Sequence, residues 1–247
     1  MKRMFDFFIS FFGLIILSPV LLFVMFLVWI NDFSNPFYIA SRVGIKGKTF
    51  KMFKLRSMVV NADKSGVDST SNDDMRITKI GKFIRKFKID ELSQLINVFL
   101  GDMSLVGPRP NVKRETDLYT DAEKKLLLVK PGITDISSIV FSDEGEILLN
   151  SKDPDIDYNQ LIRPGKGFLG LFYVQNQSFL LDIRLIFITI FTIFNRELAL
   201  KNVSKLLKEY KASESLIKIA ERKEKLIPSP PPGSNNIVKD RSGKVYG

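Results

Sequence analysis

Phe5–Ile30 reads FDFFISFFGLIILSPVLLFVMFLVWI, a run of 26 residues in which Asp6 is the only ionisable side chain. Lys2 and Arg3 precede it and Asp32 follows. About 20 apolar residues suffice to cross a bilayer. A secretory signal fits poorly, because the apolar run is too long and no small-residue cleavage site follows it. Ser18-Pro19 sits near the middle. Proline removes a backbone donor and crowds the preceding turn, so the spacing predicts a kink there. Each half is then about a dozen residues, or roughly 20 Å of helix. A bent helix that enters and leaves by one face needs only that depth. The Ser18 hydroxyl is placed to bond a freed carbonyl. The pattern alone favours a spanning helix, with the re-entrant hairpin as the alternative.

The remaining composition narrows the chemistry. The chain has 247 residues and a net charge of +10, with 37 Lys+Arg against 27 Asp+Glu. That length can bury a sizeable core, and 45% hydrophobic residues exclude wholesale disorder. No cysteine means no disulfide scaffold and no thiolate metal site. No histidine removes imidazole bases, Ser-His triads and the usual zinc hydrolase sites. Chemistry must run on carboxylates, amines, guanidiniums, hydroxyls or a hard metal held by oxygen. The basic balance points to a phosphate-rich partner.

Residues 48–56 alternate polar and apolar, which reads as a strand with Lys48, Lys54 and Arg56 on one face. A solvated strand face is an equal reading. Residues 61–75 read as a loop. Ile77, Ile80, Ile84 and Phe87 then step by three and four, predicting a helix, and six positive charges between Arg76 and Lys88 meet no acid. Such amphipathic basic stretches are solvated or lie at a membrane surface. The charge reverses at Asp90-Glu91, which opens a short helix ended by Gly101. An ordinary N-cap is the plainer reading of Asp90. In Gly107-Pro108-Arg109-Pro110, two prolines stiffen the loop that presents one guanidinium. Residues 111–130 look helical. Phe179–Phe194 is a second apolar run, too short and charged to span with assurance, and reads as a buried or interfacial helix. Residues 201–225 read as one amphipathic helix, and Pro228–Gly247 as a disordered tail.

Adjacent carboxylates at a helix start can share one hard cation, since Mg²⁺ prefers oxygen ligands. A carboxylate can also attack phosphorus and form an acyl phosphate. Phosphoryl transfer needs mainly alignment and charge neutralisation, and no histidine.

Several blocks occur in a telling order. They are Lys2-Arg3 with Phe5-Asp6, Ser18-Pro19, Phe53–Met58, Arg76-Ile77-Thr78 with Gly81 and Arg85, Asp90–Val98 and Gly101–Pro110. In these the chain resembles the bacterial sugar transferases, the monotopic polyprenyl-phosphate phosphoglycosyl transferases, over roughly residues 1–200. The resemblance implies a re-entrant helix broken at Ser18-Pro19, reversing the preference drawn from pattern alone. It implies a globular part on the cytoplasmic face of the bacterial inner membrane. Asp90 is then the nucleophile, Asp90 and Glu91 hold Mg²⁺, and Lys54, Arg56, Arg85 and Arg109 contact phosphates. The donor is a UDP-sugar, the acceptor polyprenyl phosphate, and UMP leaves. Membrane lipid is a further partner, a homo-oligomer is left to test, and nucleic acid is not expected.

Two departures stand out. Ser93 occupies a position where the family usually has proline. Asp135-Ile136-Ser137-Ser138-Ile139 replaces the commoner glycine and Gln-Val form, leaving the sugar undetermined. Tyr173, Asn176, Ser178 and Asp182 look like the family's later motif. A competing reading is a noncatalytic, membrane-anchored module that binds anionic lipid, but such a module gains nothing from paired acids. The expected architecture is α+β and mostly helical, with a small sheet near residues 38–58 and amphipathic helices at the bilayer surface. Its parts are a membrane helix (1–33), a catalytic domain (34–200), a charged helix (201–225) and a Pro-rich tail (226–247).

Overall fold

A computed structural model describes residues 1–67 and 69–240. The apolar run forms one helix, α1 (Lys2–Asp32), which is helical through Pro19. Pro19 offers no N–H to the Ile15 carbonyl, and the Ser18 hydroxyl donates to that oxygen at 2.7 Å instead. Any bend at this point is therefore made within a continuous helix. Phe33 adopts the left-handed conformation (φ 52°) and closes the end.

Only one face of α1 is covered, through Asp6, Ser10, Leu21, Val24 and Val28. Phe8, Phe12, Ile16, Leu22, Phe23 and Phe26 are exposed. Both ends are tied to the same body. Near the start, Lys2 pairs with Asp182, and Arg3 donates to the Val98 and Phe99 carbonyls at 2.6 and 2.8 Å. At the other end Asp32 pairs with Arg56, one contact being 2.6 Å.

Among the described residues the body is α+β, mostly helical with two small two-stranded sheets. Strands β1 (Phe37–Val43) and β2 (Thr49–Leu55) are antiparallel, with Lys54 opposite Tyr38. This is the sheet expected from the sequence. Helix α2 (Lys79–Lys86) starts later than the apolar spacing implies. Thr78 is extended and its hydroxyl accepts from Gly81 N–H at 2.9 Å, while Ile77 bridges to Met58. A Cβ at Gly81 would strike the Ser57 carbonyl, so only glycine lets α2 approach so closely.

Helices α3 (Ile89–Leu92) and α4 (Leu95–Leu100) follow, and Gly101 (φ 94°) ends α4 as expected. Strands β3 (Ser104–Val106) and β4 (Gly132–Thr134) form a parallel pair that the sequence reading does not contain. Three residues are too few to show an alternation.

The helix expected over 111–130 is mostly irregular. It contains α5 (Lys113–Thr116) and a 3₁₀ segment, Glu123–Leu128. Thr120 and Glu123 cap one another's N–H groups at 2.9 and 3.1 Å, and the Glu123 carboxylate turns inward to Arg163 at 2.8 Å. That buried pair overrides helical continuity.

The rest is helical: α6 (Ile136–Val140), α7 (Glu144–Ile147), α8 (Pro154–Asp157), a π-helical turn Tyr158–Ile162, α9 (Arg163–Asn176), α10 (Phe179–Phe194), α11 (Arg196–Glu209) and α12 (Glu214–Glu221). The single helix expected over 201–225 is two, because Lys211 turns left-handed (φ 55°) and Ser213 caps α12. Val98, Met103, Ile136, Leu169, Leu181 and Leu206 centre the core. Phe187, Ile190, Phe191 and Phe194 of α10 stay exposed, as do Phe83 of α2 and the adjacent Phe87.

The segment expected to be a disordered tail packs on the body as far as it is described. Val238 is buried and its carbonyl accepts from Gln160 at 2.6 Å, Pro232 bonds Thr120, and Ser229 N–H donates to the Gln160 carbonyl at 3.1 Å. Proline-rich backbone loses little entropy on docking, which composition alone does not weigh. Residues 241–247 of the expected tail lie outside the described residues.

Candidate active site

Asp90 is not an N-cap. Lys88 precedes α3 in the left-handed conformation (φ 53°), and Asp90 is the second helical residue. A lysine held there carries backbone strain beside the acid pair. Asp90 is 3% exposed, and its Oδ2 lies 3.0 Å from Lys54 Nζ. Glu91 Oε1 accepts from Arg109 Nη2 at 2.7 Å. Neighbouring helical residues point in different directions, so each acid has its own cation.

Two polar residues clip β2 to the acid-bearing helices. The Ser93 hydroxyl stands 3.1 Å from both the Phe53 and Asp90 carbonyls. Asn97 accepts from Phe53 N–H at 2.9 Å and donates to the Lys51 carbonyl at 2.7 Å. Phe53 directly precedes Lys54 and Lys51 lies three residues before it, so these bonds fix the strand that delivers the Lys54 ammonium. The Arg109 loop is held equally firmly: Gly107 N–H donates to Thr134 and Gly132 N–H to Pro108, at 2.9 and 3.0 Å. No side chain fits at Gly107 or Gly132, where the backbones meet.

The electrostatics favour charge. Burial would raise the Glu91 carboxyl, yet Arg109, Lys54 and Lys88 together hold it down at about 2. Glu91 in turn raises Arg109. Burial lowers Lys88, against the opposing pull of Glu91 and Asp90. Burial likewise lowers Arg85, which feels Asp90 and donates from Nε to the Ser57 hydroxyl at 2.9 Å.

The structure thus brings together Asp90, Glu91, Lys54 and Arg109, with Arg85 within their field. Arg56 is engaged by Asp32 and by the Asn35 carbonyl (2.9 Å), so it secures α1. Tyr173 and Asp182 meet Lys2, Asn176 bonds the Phe172 carbonyl, and Ser178 caps α10. Sequence reasoning missed Lys88, although it directly precedes the pair's helix. It also missed Lys166 and Glu144, which bond each other. Nothing in the surrounding sequence marks either of those two.

Among the described residues no three acids gather as a metal cage. Two neighbouring carboxylates nevertheless suit Mg²⁺, which commonly takes one or two protein carboxylates and completes its shell with water and substrate phosphate. The donor set fits an ion shared with a phosphorylated substrate.

Behind Arg109 lies a small cleft that is partly open to solvent. Lys166, Tyr158, Tyr119, Asn111, Asp135 and Ser137 are among its walls.

Comparison with known proteins identifies the family. The model of the family described as "Bacterial sugar transferase" matches residues 1–196. The exopolysaccharide production protein ExoY of Sinorhizobium fredii is 37% identical over 204 residues, covering 76% of this chain and 83% of the relative. The undecaprenyl-phosphate galactose phosphotransferase of Salmonella typhimurium is 35% identical, over 80% of this chain and 41% of its own length. The UDP-glucose:undecaprenyl-phosphate glucose-1-phosphate transferase of Klebsiella pneumoniae is 34% identical, over 77% and 39% respectively.

Proposed function

The chain belongs to the bacterial sugar transferases, and from that premise we propose that it transfers a sugar-1-phosphate from a UDP-sugar to polyprenyl (undecaprenyl) phosphate, the first membrane step of surface glycan assembly. The noncatalytic lipid-binding reading gives way to an enzyme. The observation that carries the reaction is the buried Asp90 beside Lys54, with Glu91 clamped by Arg109 next to it.

An Asp90 carboxylate oxygen attacks the phosphorus that bears the sugar. The bond from that phosphorus to the bridging oxygen breaks, and UMP leaves with the bridging oxygen's electrons. The phospho-sugar is now on Asp90. An oxygen of polyprenyl phosphate then attacks the same phosphorus, the bond to Asp90 breaks, and the carboxylate returns. No proton transfer by imidazole is needed. Lys54 and Arg109 are already placed to exchange carboxylate for phosphate oxygens as charge builds up. Asp90 and Glu91 would hold Mg²⁺, which when bound neutralises the diphosphate.

A lipid acceptor requires the site to sit at a bilayer. The exposed face of α1 and the exposed aromatics of α2 and α10 supply an apolar surface. Because both ends of α1 are tied to one body, a re-entrant course with that body on the cytoplasmic face of the inner membrane suits the geometry better than a crossing. The chain has no cysteine, so Met4→Cys and Ser41→Cys can each be labelled alone. Both sites are expected to react from one side, and labelling from opposite sides overturns the re-entrant course.

The reaction is tested by incubating the protein with UDP-sugars and Mg²⁺, following UMP release and the mass of the peptide containing Asp90. A phospho-sugar adduct on Asp90 is expected. Near-normal turnover by Asp90→Asn would defeat the mechanism.

A further inference from the structure

We propose that the Lys88 ammonium takes the phosphate of the lipid acceptor and holds it beside Asp90 while the sugar-phosphate is handed on. This rests on the reaction proposed above and gives the acceptor's phosphate a place in the site.

Lys54 and Arg109 are already engaged by the acids: Lys54 Nζ lies 3.0 Å from Asp90 Oδ2, and Arg109 Nη2 donates to Glu91 Oε1 at 2.7 Å. Lys88 is not. Among the described residues its ammonium has no hydrogen bond and no ion pair. It is nevertheless half-buried and lies in the field of the pair. Burial lowers Lys88, Glu91 and Asp90 oppose that, and Lys88 in turn helps to hold Glu91 down. A half-buried ammonium without a partner is costly unless an anion arrives to meet it.

The backbone gives no reason for a lysine here. A φ of 53° with a ψ of 27° suits glycine or asparagine, and a lysine adopts it only under strain. The other left-handed lysines among the described residues, Lys46 and Lys211, are exposed. Only Lys88 combines the strained turn with partial burial beside two acids. Strain of this kind clusters at ligand sites.

Position assigns the phosphate to the acceptor. Phe87, directly before Lys88, is exposed and lies against Phe83, with ring centres 5.0 Å apart. Ile89, directly after it, packs on the cluster formed by Leu21, Val24 and Val28 of α1 with Ile84 of α2. Lys88 therefore joins the acid pair to the apolar surface from which, in the proposed reaction, the lipid substrate arrives. Arg109 comes instead from the loop bonded to β4. The charges agree with this. Once Asp90 carries the phospho-sugar, the acceptor brings a second phosphate toward the first, and an anion approaching an anionic adduct needs a further cation. Lys88 is free to supply it. An acceptor phosphate oxygen then bonds the phosphorus, the bond from phosphorus to the Asp90 oxygen breaks, and its electrons return to the carboxylate. Lys88 keeps its protons throughout.

The test uses the full chain in lipid vesicles and separates the two halves of the reaction. Adduct formation is read as the burst of UMP from a UDP-sugar with Mg²⁺ and no acceptor. Discharge is read by mixing the adduct with vesicles that carry undecaprenyl phosphate. Lys88→Asn and Lys88→Gly remove the ammonium yet suit the left-handed turn, so the melting temperature is expected to hold or rise. In both, the ratio of discharge rate to adduct-formation rate is expected to fall about tenfold or more, the size of one charged hydrogen bond, and Lys88→Arg should restore most of it. An unchanged ratio with normal rates overturns the proposal. An equal loss in both halves also overturns it, assigning Lys88 to the donor's diphosphate if melting holds and to folding alone if melting falls. If the unaltered protein forms no adduct, the proposed reaction fails and this assignment with it, an outcome distinct from the others.

Discussion

Two buried acid clusters, one under α1 and one at the start of α3, use similar residues toward different ends. Under α1, Asp6 accepts from the Ser104 hydroxyl at 2.8 Å and from Leu105 N–H at 3.2 Å. Asp182 accepts from the Tyr173 hydroxyl at 2.6 Å and from Lys2, which also reaches the Val106 carbonyl at 3.0 Å. Burial and the Asp182 charge push the Tyr173 phenol up, so it remains a donor. Those carboxylates are held by fixed hydroxyl and backbone donors and by Lys2, which is itself tied to the Val106 carbonyl and the Tyr173 hydroxyl. At α3 the acids face Lys54 and Arg109, flexible cations that can turn to an incoming phosphate. Burial among donors that are all tied elsewhere builds a joint, whereas burial beside cations bonded mainly to the acids leaves groups that can re-pair, as the proposed reaction needs.

The largest test of this contrast exchanges one acid in each cluster. Asp90→Asn is expected to cut UMP release by about 10³-fold or more while the melting temperature hardly moves. Asp182→Asn should do the reverse. It weakens the anchoring of Lys2 and Tyr173, lowering stability by about 2 kcal/mol in denaturant unfolding, with turnover per folded molecule nearly retained.

A smaller effect separates burial from charge at Glu91. Its folded value of about 2 lies below the ordinary 4.5, so the pair's stabilisation is complete above pH 4.5 and is lost as pH falls toward 2. In Arg109→Ala the burial that raises Glu91 is opposed by fewer charges. The variant's urea midpoint should then lie below that of the unaltered protein at pH 5, and the gap should narrow as pH falls toward 2, because the variant has less acid-linked stability to lose. An unchanged acid limb would show that Arg109 does not hold the carboxylate. The smallest effect is expected for Ser93→Ala, which frees β2 from α3 at a cost of about 1 kcal/mol. A modest fall in kcat should accompany it if the clip also aligns Lys54.

Local chemistry was legible where residue order carries it. The Asp90-Glu91 pair, the stiff Arg109 loop, the Lys54 strand and the Ser18 bond to a freed carbonyl all depend on neighbours in the chain. What escaped depends on distant partners. Arg56 sits on the expected strand, but Asp32, 24 residues earlier, takes it. Glu123 breaks an expected helix because Arg163 draws it inward, 40 residues away. Lys166 reaches the site through the packing of α9, and β3 finds β4 through a close approach of glycine backbones that no periodicity announces. The docked tail was misjudged because composition measures how readily a segment stays loose, not whether a complementary surface awaits it.

The two-ended fastening of α1 bears on more than topology. With Lys2 bound at one end and Asp32 at the other, anchor and body form a single hull that cannot swivel on a hinge. On the proposed re-entrant course, the depth at which Asp90 rides relative to the lipid headgroups is then a built-in dimension. In the proposed reaction, acceptors would arrive by lateral drift within the leaflet, and any change that lengthens the apolar helix would lift Asp90 away from them.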